Sequence, residues 1–120
     1  MSGDFPEADW RILRELKPVL LDRLCTRIMD ECRAVMDDPS RTAHERYLAL
    51  FRTIKGRDEV LSMAFDDMRR SRALWRLAWL RHLALFCDDE WERFSPGTRE
   101  TVLFLAGEID NEERKEGGRR

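Results

Sequence analysis

The sequence predicts an all-α, single-domain bundle of about five helices, and three observations carry that prediction. Apolar residues recur at steps of three and four along most of the chain, the period of an amphipathic helix. Four prolines and six glycines are too few, and lie too near apparent helix ends, to punctuate an all-β chain. The 120 residues are 42% apolar and 38% charged, which suits one core wrapped in heavily solvated helix faces.

The first helical stretch is expected over 7–38, with Pro18 inside it. Proline fits the first turn of a helix and disrupts later turns, so Trp10 to Lys17 reads as a lead-in and Pro18 as the start of the main helix. From there Leu21, Cys25, Ile28, Cys32 and Val35 form one apolar stripe. Thr42-Ala43-His44-Glu45 is a capping box that opens the second helix. That helix carries Tyr47, Phe51, Ile54, Asp58, Leu61, Phe65 and Met68 in unbroken heptad steps, so it is expected to run through Gly56. The third helix is expected over 71–86 with Ser71 as its cap, and a short acidic fourth helix over 88–94. Ser95-Pro96 reads as a cap followed by a first helical residue. The fifth helix then carries Val102, Leu105 and Ile109. Residues 1–109 make the domain, and the polar segment 110–120 is expected to be a disordered tail.

Charge and cysteine content exclude several functions. Twenty-two basic and 24 acidic residues leave a net charge of −2, which disfavours binding to nucleic acid or an anionic membrane through bulk charge. Nineteen of the basic residues are arginine, a bias that a GC-rich coding sequence also produces. The start of the chain is acidic where a secretory signal is basic and then apolar, and no apolar run approaches a membrane span. Cys25, Cys32 and Cys87 are an odd number. The first two lie about 10 Å apart along one helix, too far for a disulfide. A reducing cytoplasm is the expected compartment.

The segments His44-Glu45-Arg46-Tyr47-Leu48-Ala49, Phe65-Asp66-Asp67-Met68-Arg69-Arg70-Ser71 and Glu92-Arg93-Phe94-Ser95-Pro96 resemble those of a small family of bacterial helical proteins. The resemblance spans roughly 13–105. It implies a bacterial cytoplasmic protein and carries no activity, because that family has none assigned.

Catalytic and metal chemistry find little support in the spacing of residues. His44 and His82 lack the Glu-x-x-His context of a di-iron bundle, and the cysteines lack zinc-ligand spacing. There is no nucleophile elbow and no glycine-rich phosphate loop. No catalytic residue, cofactor or metal ligand is therefore expected. Asp58 stands in a heptad slot that calls for an apolar side chain. It is either buried and paired or turned outward by a bend at Gly56.

The third helix is the most informative stretch. No acid occurs between Met68 and Cys87, whereas Arg69, Arg70, Arg72, Arg76 and Arg81 do. At 100° per residue, Trp75, Trp79, Leu83 and Phe86 share one arc bordered by Arg72 and Arg76, opposite a second apolar arc. Tryptophan and arginine are enriched at interface hot spots, although a helix enclosed by its own domain is apolar on both sides too. The sequence thus predicts a non-enzymatic interaction protein, a homodimer formed through this aromatic side. Two alternatives stay open. One is a ligand-binding or enzymatic protein with an internal pocket that uses Asp58, Arg81 or His82. The other is a nucleic-acid or phosphate binder that uses Arg69, Arg72 and Arg76.

Overall fold

A computed structural model describes residues 5–117. Five α-helices follow one another: α1 (Glu7–Met36), α2 (Ala43–Phe65), α3 (Ala73–His82), α4 (Asp88–Glu92) and α5 (Pro96–Gly117), with one 3-10 turn at Arg70–Arg72 before α3. Among the described residues there are no strands.

The helix starts follow local chemistry. At the head of α2, Thr42 Oγ1 accepts from the Glu45 amide at 3.1 Å, and the Thr42 amide donates to Glu45 Oε1 at 2.8 Å. Helix α2 then runs through Gly56 without interruption. Helix α1 departs from expectation: it is continuous from Glu7, with Pro18 in its interior. Pro18 lies on the exposed side, so the missing backbone bond faces solvent. Leu13 and Leu16 before it, and Leu20 and Leu24 after it, are buried on one line. That shared burial holds the helix together across the proline.

Helix α3 is shorter than the spacing suggested. Ser71 lies exposed in the 3-10 turn and caps nothing, and the helix ends at His82. There the Ala84 amide donates to the Arg81 carbonyl, and the Leu85 amide to the Leu80 carbonyl. This pair of bonds is a Schellman closure. It requires a left-handed residue, which here is Ala84 at φ 55°. An alanine in that conformation costs roughly 1 kcal/mol relative to glycine. Ala84 is exposed, so Ala84→Gly is expected to raise stability by about 0.5–1 kcal/mol in urea denaturation.

The core gathers Leu13, Leu16, Leu20 and Leu24 from α1 and Leu77, Ala78 and Leu80 from α3. Phe5, Ala64, Phe65, Ala73, Leu85, Trp91, Phe94, Val102 and Ile109 complete it. Helix α3 packs mainly on α5, α1 on α2, and α2 on α3. Beyond Leu24, α1 buries only Cys32, and α2 buries only Ala64 and Phe65 at its far end. The rear of α1 and the front of α2 therefore project as a two-helix arm, and the molecule is elongated, 56 × 33 × 25 Å.

Arginines tie the elements together. Arg23 on α1 donates to both carboxylate oxygens of Glu90, at 2.7 and 2.9 Å, and to the Leu85 carbonyl at 2.7 Å. Arg27 donates to the Leu83 and Ala84 carbonyls. Arg70 reaches Glu7 and the Phe5 carbonyl, Arg93 reaches Glu15, and Arg57 is bidentate on Glu31. A planar fork with five donors suits carbonyl and carboxylate clamping of this kind.

The expected disordered tail is corrected in the same way. Residues 110–117 continue α5 as helix, and 118–120 lie outside the described residues. Asp110 and Glu113 lie against the two ring nitrogens of His82, at 2.5 and 3.0 Å. His82 thereby fastens the polar end of α5 to the end of α3.

Candidate interaction groove

The early end of α3 divides the aromatic arc expected from the sequence. Trp75 and Trp79 stay on the helix, and Trp75 is 49% exposed. Leu83 falls in the terminating turn and packs, half-buried, against the core. Phe86 lies beyond it, 5.6 Å from the Trp91 ring and 5.7 Å from Phe94. Leu83 and Phe86 therefore do not extend the tryptophan surface, because the backbone reverses at Ala84.

Around the tryptophans the structure places a different set of partners. Met63 from α2, Trp75 and Trp79 from α3, and Phe104, Leu105 and Ile109 from α5 line an open groove of about 680 Å³. Phe104 is 67% exposed. One wall is acidic, formed by Glu108, Glu112, Glu113 and Glu116. Glu108, Glu112 and Glu116 are spaced four apart, so they stack along one side of α5. Glu113 is engaged with His82, and Lys115 approaches Glu112 at 4.0 Å. Among the described residues, Glu108 and Glu116 pair with no cation.

The side chains proposed from sequence for chemistry have separate occupations. Asp58 is exposed on α2, which removes it as a buried charge. Gly56 leaves the helix unbroken, and α2 turns this part of its heptad stripe to solvent. Arg81 lies over the Trp91 ring, 4.6 Å from its centroid. His82 is held edge-on to Trp79 and between the two α5 carboxylates. Among the described residues these three groups are brought into no shared site: Asp58 lies beside Glu59, Ser62 and Asp66 along the end of α2, apart from Arg81 and His82. Arg69 and Arg72 both bond Asp67, and Arg76 donates to the Met63 carbonyl at 2.6 Å. Each of these arginines thus has an intramolecular partner, with Arg69 and Arg72 still 65% and 59% exposed. Arg72 and Arg76 stabilise the approach to α3 and the α2–α3 contact.

Sequence reasoning missed Phe104, Leu105 and Ile109 as partners of the tryptophans, and the glutamate row altogether. The four-residue spacing of Glu108, Glu112 and Glu116 was visible, but it fell in or beside a segment read as a tail. It also missed Asp9, which is 1% exposed. Its carboxylate accepts from the Ser95 amide, the Ser95 hydroxyl and the Thr98 hydroxyl at 2.9, 2.7 and 2.6 Å. A residue from α1 thereby completes the start of α5 and holds that wall of the groove in place.

Among the described residues no helix is long and apolar enough to cross a membrane, and no group of three or more His, Cys, Asp or Glu is placed to hold a metal ion. No known protein family matches the chain, and comparisons with curated proteins and with solved structures find no match.

Proposed function

We propose that the protein is a non-enzymatic interaction module whose α3–α5 groove receives an apolar, basic helix of a protein partner. The glutamate row beside the exposed aromatic floor supports this reading most directly. Like charges four apart on a helix cost a few tenths of a kcal/mol per pair, and exposed Trp75 and Phe104 forgo the gain of burial. A guest helix with an apolar stripe and lysines or arginines along one edge relieves both costs at once. Grooves that take amphipathic helices work in this way. The sequence predicts a homodimer through the aromatic side of α3; the groove keeps Trp75 and Trp79 of that surface, adds Met63 and Phe104, and takes a basic partner helix in place of a second copy. A bacterial, reducing cytoplasm is the setting of this proposal, and the free thiols of Cys25, Cys32 and Cys87 are compatible with it.

A fluorescein-labelled synthetic Leu/Lys amphipathic helix should bind with salt-sensitive affinity and alter tryptophan emission. Its Leu/Glu counterpart should not bind. Combining Glu108→Lys with Glu112→Lys should weaken binding tenfold or more, and these exposed changes leave the fold intact by circular dichroism. Equal binding of both peptides, or indifference to the charge reversal, refutes the proposal.

A further inference from the structure

His82 joins the floor of the groove to its acidic wall. The ring stands edge-on to Trp79, with centroids 5.5 Å apart, and Trp79 belongs to the floor. Nδ1 lies 2.5 Å from Asp110 and Nε2 lies 3.0 Å from Glu113, and Glu113 belongs to the wall. The ring is 14% exposed, and both carboxylates are more than half exposed. The carboxylates are therefore free to swing into water, whereas the ring is held.

Two carboxylates on one imidazole make the arrangement depend on its proton. A protonated ring donates from both nitrogens, whereas a neutral ring has one N–H and one lone pair. With the ring neutral, one carboxylate faces that lone pair, acceptor against acceptor, and is repelled. Nδ1 makes the closer contact, so Asp110 keeps the remaining N–H and Glu113 is released. The neighbouring charged groups are already engaged. On α3, Arg81 lies over Trp91, and Arg76 donates to the Met63 carbonyl, where α2 meets α3. From α1, Arg27 holds the Leu83 and Ala84 carbonyls just past the ring, and Arg23 holds Glu90 of α4. On α5, Lys115 approaches Glu112. Among the described residues no cation other than His82 pairs with Asp110 or Glu113.

We infer that His82 is a proton-operated latch on the groove: with its proton it ties Glu113 down, and on losing its proton it releases Glu113 to the acidic wall. Imidazole is the side chain whose charge ordinarily changes between pH 5 and 8, so the latch works where the glutamate row stays ionised and a guest's lysines stay charged. The consequence for binding rests on the groove taking a basic helix, and it gives that site its regulation. His82, Asp110 and Glu113 together carry one net negative charge while the ring is protonated and two once it is neutral. A basic helix therefore binds more tightly as pH rises through the titration of the ring. One added charge about 8–10 Å from two lysines gives about a threefold to fivefold gain at low salt.

Nuclear magnetic resonance of the full chain tests the latch without any guest. His44 is exposed at the head of α2, and His44→Gln leaves His82 as the sole histidine. From about pH 5 to 9 the Glu113 side-chain carboxyl signal should shift together with the ring, and the neutral ring should carry its proton on Nδ1. Fluorescence titration with the Leu/Lys peptide then tests the regulation. At low salt the peptide should bind about threefold to fivefold more tightly at about pH 8.5 than at about pH 6. His82→Gln, checked for folding by circular dichroism, should abolish that difference. A neutral ring protonated on Nε2, or a Glu113 carboxyl indifferent to the ring, overturns the inference. So does an unchanged pH dependence in His82→Gln. A peptide that binds at neither pH refutes the groove reading instead, and the ring and carboxyl signals alone then decide the latch.

Discussion

Asp9→Ala is expected to lower stability by about 3 kcal/mol in urea denaturation. The carboxylate takes three hydrogen bonds from Ser95 and Thr98 at the start of α5. Removing it leaves the Ser95 amide and the Thr98 hydroxyl without their acceptor, each costing roughly 1 kcal/mol or more when buried, while the Ser95 hydroxyl can turn to Thr98 Oγ1, 3.1 Å away. The loss also takes a negative group from the positive end of a helix. Amides in the first turn of α5 should lose hydrogen-exchange protection before the rest of the core. Asp9→Asn keeps the shape and part of the bonding, so its effect should be about half as large. A cost below about 1 kcal/mol for the alanine variant would show that α5 holds its position without this anchor.

Arg23→Met is expected to cost about 2–3 kcal/mol at neutral pH and to change the acid sensitivity of the protein. Arg23 joins α1 to α4 through Glu90 and to the turn after α3 through the Leu85 carbonyl. Hydrogen bonds from its guanidinium, opposed by partial burial and helped by the Cys87 amide, bring the Glu90 carboxyl down from 4.5 to about 2. Because the folded value is depressed, the stabilisation is present above about pH 4.5 and disappears as pH falls toward 2. Arg23 is 36% exposed, and solvent screening at that exposure trims the linked contribution to about 2 kcal/mol. The parent should therefore lose stability across this acid range, while Arg23→Met should show a flatter profile there. Parallel profiles for the two proteins would contradict the assignment of Glu90 to Arg23.

How much could be read from the chain depended on the distance between cause and effect. The capping box at Thr42 and Glu45 was legible because its two partners are three residues apart. The continuity of α2 across Gly56 was legible because one heptad phase persists on both sides. The end of α3 was not. Leu83-Ala84-Leu85 has no glycine where the left-handed residue falls, so the tryptophan arc was drawn four residues too far. The polar composition of 110–117 suggested disorder, yet Asp110 and Glu113 are held by His82 from another helix. Pro18 suggested a break that burial on both sides overrides.

The groove was half legible. Trp75 and Trp79 stood out among arginines, but their neighbours Met63 and Phe104 come from helices whose facing sides the spacing alone does not name. Arginine itself was ambiguous in sequence. In the folded chain Arg72 pairs with Asp67 and Arg76 donates to the Met63 carbonyl.

The sequence by itself determined that this is a helical protein, where most of its helices begin, and which residues are apolar enough to seek cover. Those properties are set by period and capping, which act over one or two turns. Only the tertiary structure decided which apolar stripes are covered and which are left open. Phe65 is buried while Phe51, on the same seam, faces solvent. Such outcomes depend on contacts like that of Asp9 with Thr98, 89 residues apart. Burial is a property of the assembled elements, so a stripe that reads as core becomes a surface wherever the fold supplies nothing to cover it.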